Sequence, residues 1–134
     1  MILRPPQSGD VGRMETVVDE SMIAAAVGSG SVQGLSTPTM IALMEGAAIA
    51  AIADSLEPGN SSVGTRIDVR HLAPTPVGMR VVAEARVVEV DRRRISFAVS
   101  AFDAKGPIGE GTHDRFVVDA SRFAQTLNER KHEG

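Results

Sequence analysis

The feature that most constrains this chain is a run of small and apolar residues in its first half. From Met40 the sequence reads Met-Ile-Ala-Leu-Met-Glu-Gly-Ala-Ala-Ile-Ala-Ala-Ile-Ala, which favours a helix that ends near Leu56. Thr37 is a suitable N-cap for this helix, and Pro38 suits its first helical position. Because apolar residues occupy every side of the run, we expect the helix to be buried nearly all round.

The remaining sequence predicts the sheet that would cover such a helix. Residues 14–18, 62–70, 80–90, 94–102 and 108–118 are rich in the β-branched and aromatic residues that strands favour. Short turns join the later segments, which makes those strands antiparallel neighbours. The predicted fold class is therefore α+β, with an antiparallel β-sheet wrapped around a long central α-helix. Its apolar surplus and open sheet edge predict that a second subunit completes it.

Composition narrows the class of protein further. The 134 residues predict one domain, with an N-terminal arm over residues 1–13 and a polar tail over residues 128–134. The absence of cysteine excludes disulfides, zinc-thiolate sites and a cysteine nucleophile. A net charge of −3, with four Phe and no Trp or Tyr, argues against a nucleic-acid partner. Since no apolar stretch suits a secretion signal or a membrane span, we predict a cytoplasmic protein without a membrane partner.

Glu45 is the most informative polar residue, since it lies inside the apolar helix. A buried carboxylate without a partner is very unfavourable, so Glu45 needs a cation, a water-filled groove or a raised pKa. A catalytic carboxylate fits this position. A structural ion pair with an arginine, or simple exposure to a groove, fits it as well.

Four further residues are candidates for a site on the strands. His71 ends the first long strand, where it can act as a general acid or base or cap the following turn. On the same strand, Gly64 indicates a β-bulge or a close backbone approach. Arg115 can neutralise Glu45, hold an anionic ligand or line an edge. His113 shares a strand face with Arg115, and we expect it to be mainly structural.

Positive charge is concentrated in one part of the chain. Seven arginines lie at positions 66–94, against four carboxylates in the same range. Such a surplus suits an anionic ligand, and it suits solvated strand edges equally well.

The spacing of Thr37 and Glu45 limits what they can do together. Eight residues of regular helix separate them by about 12 Å along the axis, too far for a hydrogen bond. The N-cap role alone would explain Thr37. A shared site would need another group between the two residues, a bent helix start, or residues from a partner subunit.

Three segments, in this order and spacing, resemble the hotdog thioesterase superfamily, and in particular its fluoroacetyl-CoA thioesterase-like branch. They are Leu43-Met44-Glu45, then Val63-Gly64-Thr65 with His71 and Thr75-Pro76-Val77-Gly78, and last Gly111-Thr112-His113-Asp114-Arg115. The resemblance spans roughly residues 14–123. It implies a homodimer or tetramer in which the sheet continues across two subunits, with two active sites at their interface.

The resemblance also implies residue roles. The family's catalytic Thr, Glu and His fall on Thr37, Glu45 and His71, and its substrate-contacting Gly and Arg fall on Gly64 and Arg115. The implied reaction is hydrolysis of an acyl-CoA with a small or medium acyl group to the free acid and CoA. Glu45 would act as base or nucleophile, and no cofactor is implied, since the CoA thioester is the substrate.

One departure from the family concerns the acyl group. The fluoroacetyl-specific enzyme closes its pocket with aromatic residues before the catalytic Thr, whereas residues 19–36 of this chain contain none. Their glycines are typical of a lid or a crossing loop. This argues against fluoroacetyl specificity and leaves thioester hydrolysis in place. Two rival functions are a hotdog hydratase or dehydratase acting on acyl thioesters, and a non-catalytic acyl-CoA-binding protein.

Overall fold

The computed structural model describes residues 4–133, and this part of the chain forms one antiparallel sheet and three α-helices. The elements in chain order are β1 (Val11–Val17), α1 (Ala24–Val27), α2 (Thr37–Ile52), β2 (Asn60–His71), β3 (Arg80–Asp91), β4 (Arg94–Asp103), β5 (Gly106–Asp119) and α3 (Ala120–Glu133). The predicted α+β class with a central helix is confirmed. Among the described helices, none has both the length and the apolar character needed to cross a bilayer.

The five strands lie in the order β1-β3-β4-β5-β2, and every neighbouring pair is antiparallel. Two-residue turns join β3 to β4 and β4 to β5, as the short sequence connections predict. β2 pairs with β5 and forms one edge of the sheet, and β1 forms the other edge. The site residues of β2 therefore sit on an edge strand of 12 residues.

Helix α2 packs across the inner face of the sheet and supplies much of the core. Its fully buried residues are Met40, Met44, Ala47, Ala48 and Ile52. The helix approaches β1 so closely that a Cβ atom on Gly12 would overlap the Ala47 carbonyl oxygen. Only glycine allows this contact, because backbone rather than a movable side chain fills the space.

The start of α2 differs from the prediction in a way that matters for the site. Ser36, not Thr37, is the N-cap, and its hydroxyl accepts a hydrogen bond from the Thr39 backbone N–H. Pro38 lies in the first turn, as expected. Ser and Thr are both preferred N-cap residues, and two of them are adjacent here, so the prediction placed the cap one residue too late. The cap role therefore does not account for Thr37, whose hydroxyl is available for another contact.

The prediction that α2 is buried nearly all round is wrong for a single chain. Ala42 and Ala50 are exposed, and Ile49 keeps 48% of its surface accessible. The sheet covers one side of the helix, and this apolar stripe lies on the side that the sheet does not reach. The β2 edge is likewise uncovered, with Ile67 39% exposed. Exposed apolar side chains and an unpaired strand edge are both typical of an interface.

Candidate active site

Thr37 and His71 form a hydrogen-bonded pair at one end of the site. β2 ends at His71, and the first turn of α2 lies beside it, so the Thr37 Oγ1 atom is 2.8 Å from the His71 Nδ1 atom. The Ser36 cap makes this possible by leaving the Thr37 hydroxyl unused in the helix. The contact links residues 34 positions apart, which no local pattern reveals.

The surroundings of the His71 ring favour its neutral form. Burial lowers its pKa from the usual value of 6.5, and the backbone of Ala73 opposes this shift in part. Within residues 4–133, the buried Nε2 atom has no hydrogen-bond partner. If the Thr37 hydroxyl donates to Nδ1, Nε2 carries the proton and becomes a donor without an acceptor. A buried unpartnered donor of this kind suits contact with a substrate.

Glu45 and Arg115 form an ion pair at the other end of the site. The Glu45 Oε2 atom lies 3.4 Å from an Arg115 guanidinium nitrogen. The Arg115 side chain is 6% exposed and that of Glu45 is 41% exposed, so the cation is buried while the carboxylate reaches the surface of the single chain. Burial lowers the pKa of Arg115, and Glu45 opposes that shift. The alternative that Arg115 lines a sheet edge is excluded, because β5 lies between β4 and β2.

Three further contacts fix the Arg115 guanidinium. Its Nε atom donates to the Ser62 hydroxyl at 2.8 Å, and a terminal nitrogen donates to the Ser62 carbonyl at 2.9 Å. The other terminal nitrogen lies 3.2 Å from the His113 Nε2 atom. Since a guanidinium only donates, His113 must accept at Nε2 and carry its proton on Nδ1, which donates to the Arg66 carbonyl at 2.8 Å. The orientation of Arg115 is therefore fully determined.

Gly64 brings the backbone of β2 against the Glu45 carboxylate. The register of β2 on β5 shifts between Gly64 and Arg66, which confirms the bulge expected from the glycine. A Cβ atom at Gly64 would lie 2.6 Å from Glu45 Oε2 and 3.2 Å from the His113 ring. The Glu45 carboxylate, the Arg115 guanidinium and the backbone at Gly64 are therefore in close contact.

The five residues predicted for the site form two groups rather than one. We call Thr37 with His71 the neutral pair, and Glu45, Gly64 and Arg115 the charged cluster. Gly64 and His71 are seven residues apart on β2, or about 20 Å along a strand. Within one chain, the two groups are too far apart to act on the same carbonyl carbon.

Each group opens into its own hollow. The neutral pair borders one of about 410 Å³, lined by its own two residues and by residues 24, 29–32, 34–36 and 72–74. The charged cluster borders one of about 270 Å³, formed by Ile41, Glu45, His113 and residues 64–67. Within residues 4–133, no group of three or more His, Asp or Glu side chains is arranged to hold a metal ion.

Two further residues support the charged cluster. His113, expected to be mainly structural, contacts the Arg115 guanidinium and the Arg66 carbonyl with its ring and stacks on Phe97. Ser62 was not considered, although it makes two hydrogen bonds with Arg115. The alternation of His113 and Arg115 along β5 was the only available signal for the first. Ser62 gave no signal, since its role depends on the β2–β5 pairing.

Comparisons with known proteins agree with this fold and place the chain in a family. The family model for FlK, the fluoroacetyl-CoA-specific thioesterase, matches residues 18–121. The fluoroacetyl-CoA thioesterase of Streptantibioticus cattleyicolor is 42% identical over 95 residues, which cover 71% of this chain and 68% of that protein.

Solved structures give the same result. The structure of FlK superimposes with a TM-score of 0.87 at 33% identity, covering 92% of this chain and 96% of that one. A thioesterase superfamily member from Thermus thermophilus superimposes with a TM-score of 0.90 at 29% identity, covering 97% and 96% of the two chains. The chain therefore belongs to the FlK family and is a hotdog-fold acyl-CoA thioesterase, a thioester hydrolase.

Proposed function

We propose that this enzyme hydrolyses small or medium acyl-CoA thioesters in the cytoplasm, as a homodimer in which each active site combines the neutral pair of one subunit with the charged cluster of the other. The observation that supports this most directly is the separation of the two groups in one chain. Each holds part of what thioester hydrolysis needs: a hydrogen-bond donor for the leaving sulfur in one, and a carboxylate beside a buried cation in the other.

Pairing of two β2 edges would bring the groups together. If two copies of β2 pair antiparallel about a two-fold axis between Ile67 and Asp68, His71 of one subunit lies opposite Gly64 of its partner. The same arrangement would cover the exposed stripe of α2 that includes Ile49. Both interface features of the single chain are then explained by one contact.

The proposed reaction uses side chains, backbone and water. The Glu45 carboxylate takes a proton from water as the water oxygen bonds to the thioester carbon, or it attacks that carbon itself to form an anhydride that water then hydrolyses. Backbone N–H groups at the Gly64 bulge stabilise the carbonyl oxygen as it gains charge, and Arg115 orients Glu45. When the C–S bond breaks, the His71 Nε2–H donates a hydrogen bond to the departing thiolate, and Thr37 holds the ring at Nδ1. A proton released by the attacking water passes to the sulfur.

The hollow beside the neutral pair is the proposed acyl pocket. Ser29, Gly30, Ser31 and Val32 line it, together with Leu72, and none of these side chains is aromatic. Its volume of about 410 Å³ exceeds the needs of a two-carbon acyl group. We therefore propose that the enzyme accepts longer acyl groups than the fluoroacetyl group for which its relative is named.

A heterodimer experiment tests the shared site. One chain carries His71→Asn and the other carries Glu45→Gln; the two are co-expressed with different affinity tags, and the heterodimer is purified over both tags. A site shared between subunits leaves one intact active site in this heterodimer and none in either variant homodimer, so about half of the wild-type rate is expected per dimer. A site built within one chain leaves the heterodimer inactive. A dimer that carries His71→Asn in both chains, purified over the same two tags, is the control.

The reaction class is tested by measuring free thiol released from a panel of acyl-CoA thioesters of graded length. Release of CoA in step with the free acid supports hydrolysis. Hydration of an enoyl-CoA without thiol release would indicate the hydratase alternative, and tight binding with no turnover would indicate the acyl-CoA-binding alternative.

A further inference from the structure

One buried hydroxyl has no part in the chemistry described so far. Among residues 4–133, the buried polar and charged residues are Ser36, Thr75, His113 and Arg115. Ser36 caps α2, and the last two belong to the charged cluster or support it. Thr75 lies in the loop between β2 and β3 and is fully buried. A buried hydroxyl is normally held by a specific partner, and that partner indicates what the residue does.

The side chain of Thr75 fastens its loop to the end of the sheet. Its hydroxyl donates to the Asp103 Oδ2 atom at 2.7 Å. Asp103 is the last residue of β4, and its Oδ1 atom accepts the Lys105 backbone N–H at 2.8 Å in the turn before β5. Both carboxylate oxygens are therefore used. Hydrogen bonds to an ionised acceptor are among the stronger ones, so this contact restrains the loop well.

The backbone of Thr75 holds a second segment. Its carbonyl oxygen accepts the Leu35 N–H at 2.8 Å, and the next residue, Pro76, pairs with Gly34 in an isolated antiparallel bridge. Leu35 is buried and directly precedes Ser36, the N-cap of α2. The hydroxyl and the carbonyl of one residue thus connect the end of the sheet to the start of α2.

Both members of the neutral pair lie next to this connection. Thr37 follows Leu35 by two residues, and His71 precedes Thr75 by four. The segments that carry them, residues 34–37 and 71–74, both line the hollow of about 410 Å³. Because the Leu35–Thr75 hydrogen bond joins these segments, it fixes the distance between them. A displacement of about 1 Å would break the 2.8 Å contact of Thr37 with His71.

We propose that Thr75 and Asp103 are positioning residues that set the geometry of the neutral pair. The Asp103 carboxylate fixes the Thr75 hydroxyl, and the Thr75 carbonyl fixes Leu35, which places the start of α2 beside His71. Neither of the two residues lines the hollow, so they act through the pair rather than on the substrate. This inference rests on the proposed function for the catalytic role of the pair, and on the hydrogen bonds of Thr75 for its geometry.

Thr75→Val keeps a β-branched side chain and removes the hydroxyl. For an accepted acyl-CoA, kcat is expected to fall roughly tenfold and KM to change by less than about twofold, since the substrate does not contact Thr75. Thr75→Ser retains the hydroxyl and is expected to keep most of the wild-type kcat. Thr112→Val is the matched control, because it removes an exposed hydroxyl from β5.

Asp103→Asn tests the other partner and serves if Thr75→Val does not fold. Asp103 is only half-buried, and the amide keeps an acceptor oxygen while losing the charge, so kcat is expected to fall about three-fold. Asp91→Asn is the matched control. Asp91 precedes the two-residue turn between β3 and β4 as Asp103 precedes that between β4 and β5, at the opposite end of β4.

A double-mutant cycle separates positioning from a general loss of stability. In a His71→Asn background, Thr75→Val is expected to have no further effect on kcat, whereas it should lower Tm as much as it does in the wild type. An equal fall in kcat in both backgrounds would overturn the proposal. So would a wild-type kcat in both Thr75→Val and Asp103→Asn.

Nitrogen NMR of the histidine rings gives an answer that does not depend on catalysis. At about pH 8 the rings are neutral, and the spectrum of His71→Asn identifies the His71 signals. The wild-type ring is expected to carry its proton on Nε2 alone, whereas Thr75→Val and Asp103→Asn should show both tautomers. If the wild type hydrolyses no thioester, the proposed function fails, and this comparison still decides the positioning role. Identical His71 signals in wild type and variants would disprove it.

Discussion

The neutral pair and the charged cluster lie at two points of the same strand and are built on opposite principles. At the neutral pair, a hydroxyl and an imidazole share one hydrogen bond, and the His71 Nε2 atom is buried without a partner. At the charged cluster, the guanidinium of Arg115 has a partner on every nitrogen. One group is completed only by a ligand or a second subunit, whereas the other is rigid before anything binds.

This difference shows how the work of an active site can be divided. A group that donates a hydrogen bond to a leaving atom needs a free N–H, and burial of His71 favours its neutral ring. A group that stabilises charge works best when its dipoles and cations are already fixed, as the Arg115 contacts are.

Glu45→Gln should have the largest effect on activity. The amide keeps the shape of the side chain but cannot act as a base or nucleophile, so kcat is expected to fall by about 10²–10⁴-fold. Glu110→Gln is the control, because Glu110 is an exposed residue of β5 and its replacement changes the net charge equally. Steady-state thiol release measures kcat, and circular dichroism checks the fold. A fully active Glu45→Gln enzyme would remove Glu45 from the mechanism.

His71→Asn should have the second-largest effect on activity. The amide preserves a polar contact near Thr37 and removes the Nε2 donor, so kcat is expected to fall by about 10²-fold, with little loss of thermal stability. His132→Asn, in the exposed last turn of α3, is the matched control. If an acyl thioester with a more acidic thiol leaving group restores the rate, the donor role is supported. A variant that merely unfolds would instead support a structural role.

Gly64→Ala tests how closely the backbone must approach the carboxylate. The new methyl group would lie 2.6 Å from the Glu45 Oε2 atom, and the flexible end of that side chain must move. We expect kcat to fall by roughly 10–100-fold, with a stability loss of about 1 kcal/mol or less, since the clash is with the movable end of a side chain. Thermal unfolding and kinetics of the same sample separate the two effects. A large loss of stability with unchanged kcat would contradict this account.

Substitutions of His113 test the rigidity of the charged cluster. His113→Gln places an acceptor near the Nε2 position and retains the contact with Arg115, whereas His113→Phe keeps the ring volume and loses both hydrogen bonds. We expect about a tenfold fall in kcat for the Phe variant and a smaller fall for the Gln variant. In an Arg115→Met background the two variants should no longer differ, as a double-mutant cycle would show. Additive effects would mean that His113 acts independently of Arg115.

The pH dependence of stability should show the smallest effect. Burial lowers the pKa of His71 below 6.5, so the unfolded chain binds more protons than the folded one as the pH falls past that value. The contribution of the neutral ring is therefore complete above pH 6.5 and is lost as the pH falls through the folded pKa. Urea unfolding of wild type and His71→Asn at several pH values should show their difference shrinking on acidification. A constant difference would exclude a buried neutral His71.

Several parts of the site were predictable because they depend on residues that are close together in the sequence. The apolar helix indicated that Glu45 must meet a partner, and Arg115 was named as one candidate. Gly64 in a strand predicted the bulge that the β2–β5 register shows. By contrast, the Ser36 cap and the Thr37–His71 bond were missed. Ser36 and Thr37 are adjacent residues that can both cap a helix, and the Thr37–His71 bond joins positions that only folding brings together.

Local patterns in the sequence predicted the fold class and the central helix, because periodicity and residue type express local preference directly, whereas the full set of five site residues came from the family resemblance. The tertiary structure alone decided that Thr37, Glu45, Gly64, His71 and Arg115 form two groups rather than one. It did so through strand register and the angle at which α2 crosses the sheet, which depend on packing between distant segments. For the same reason, only the folded chain shows an apolar stripe on α2 and an open β2 edge, and these two features direct the proposal to a second subunit.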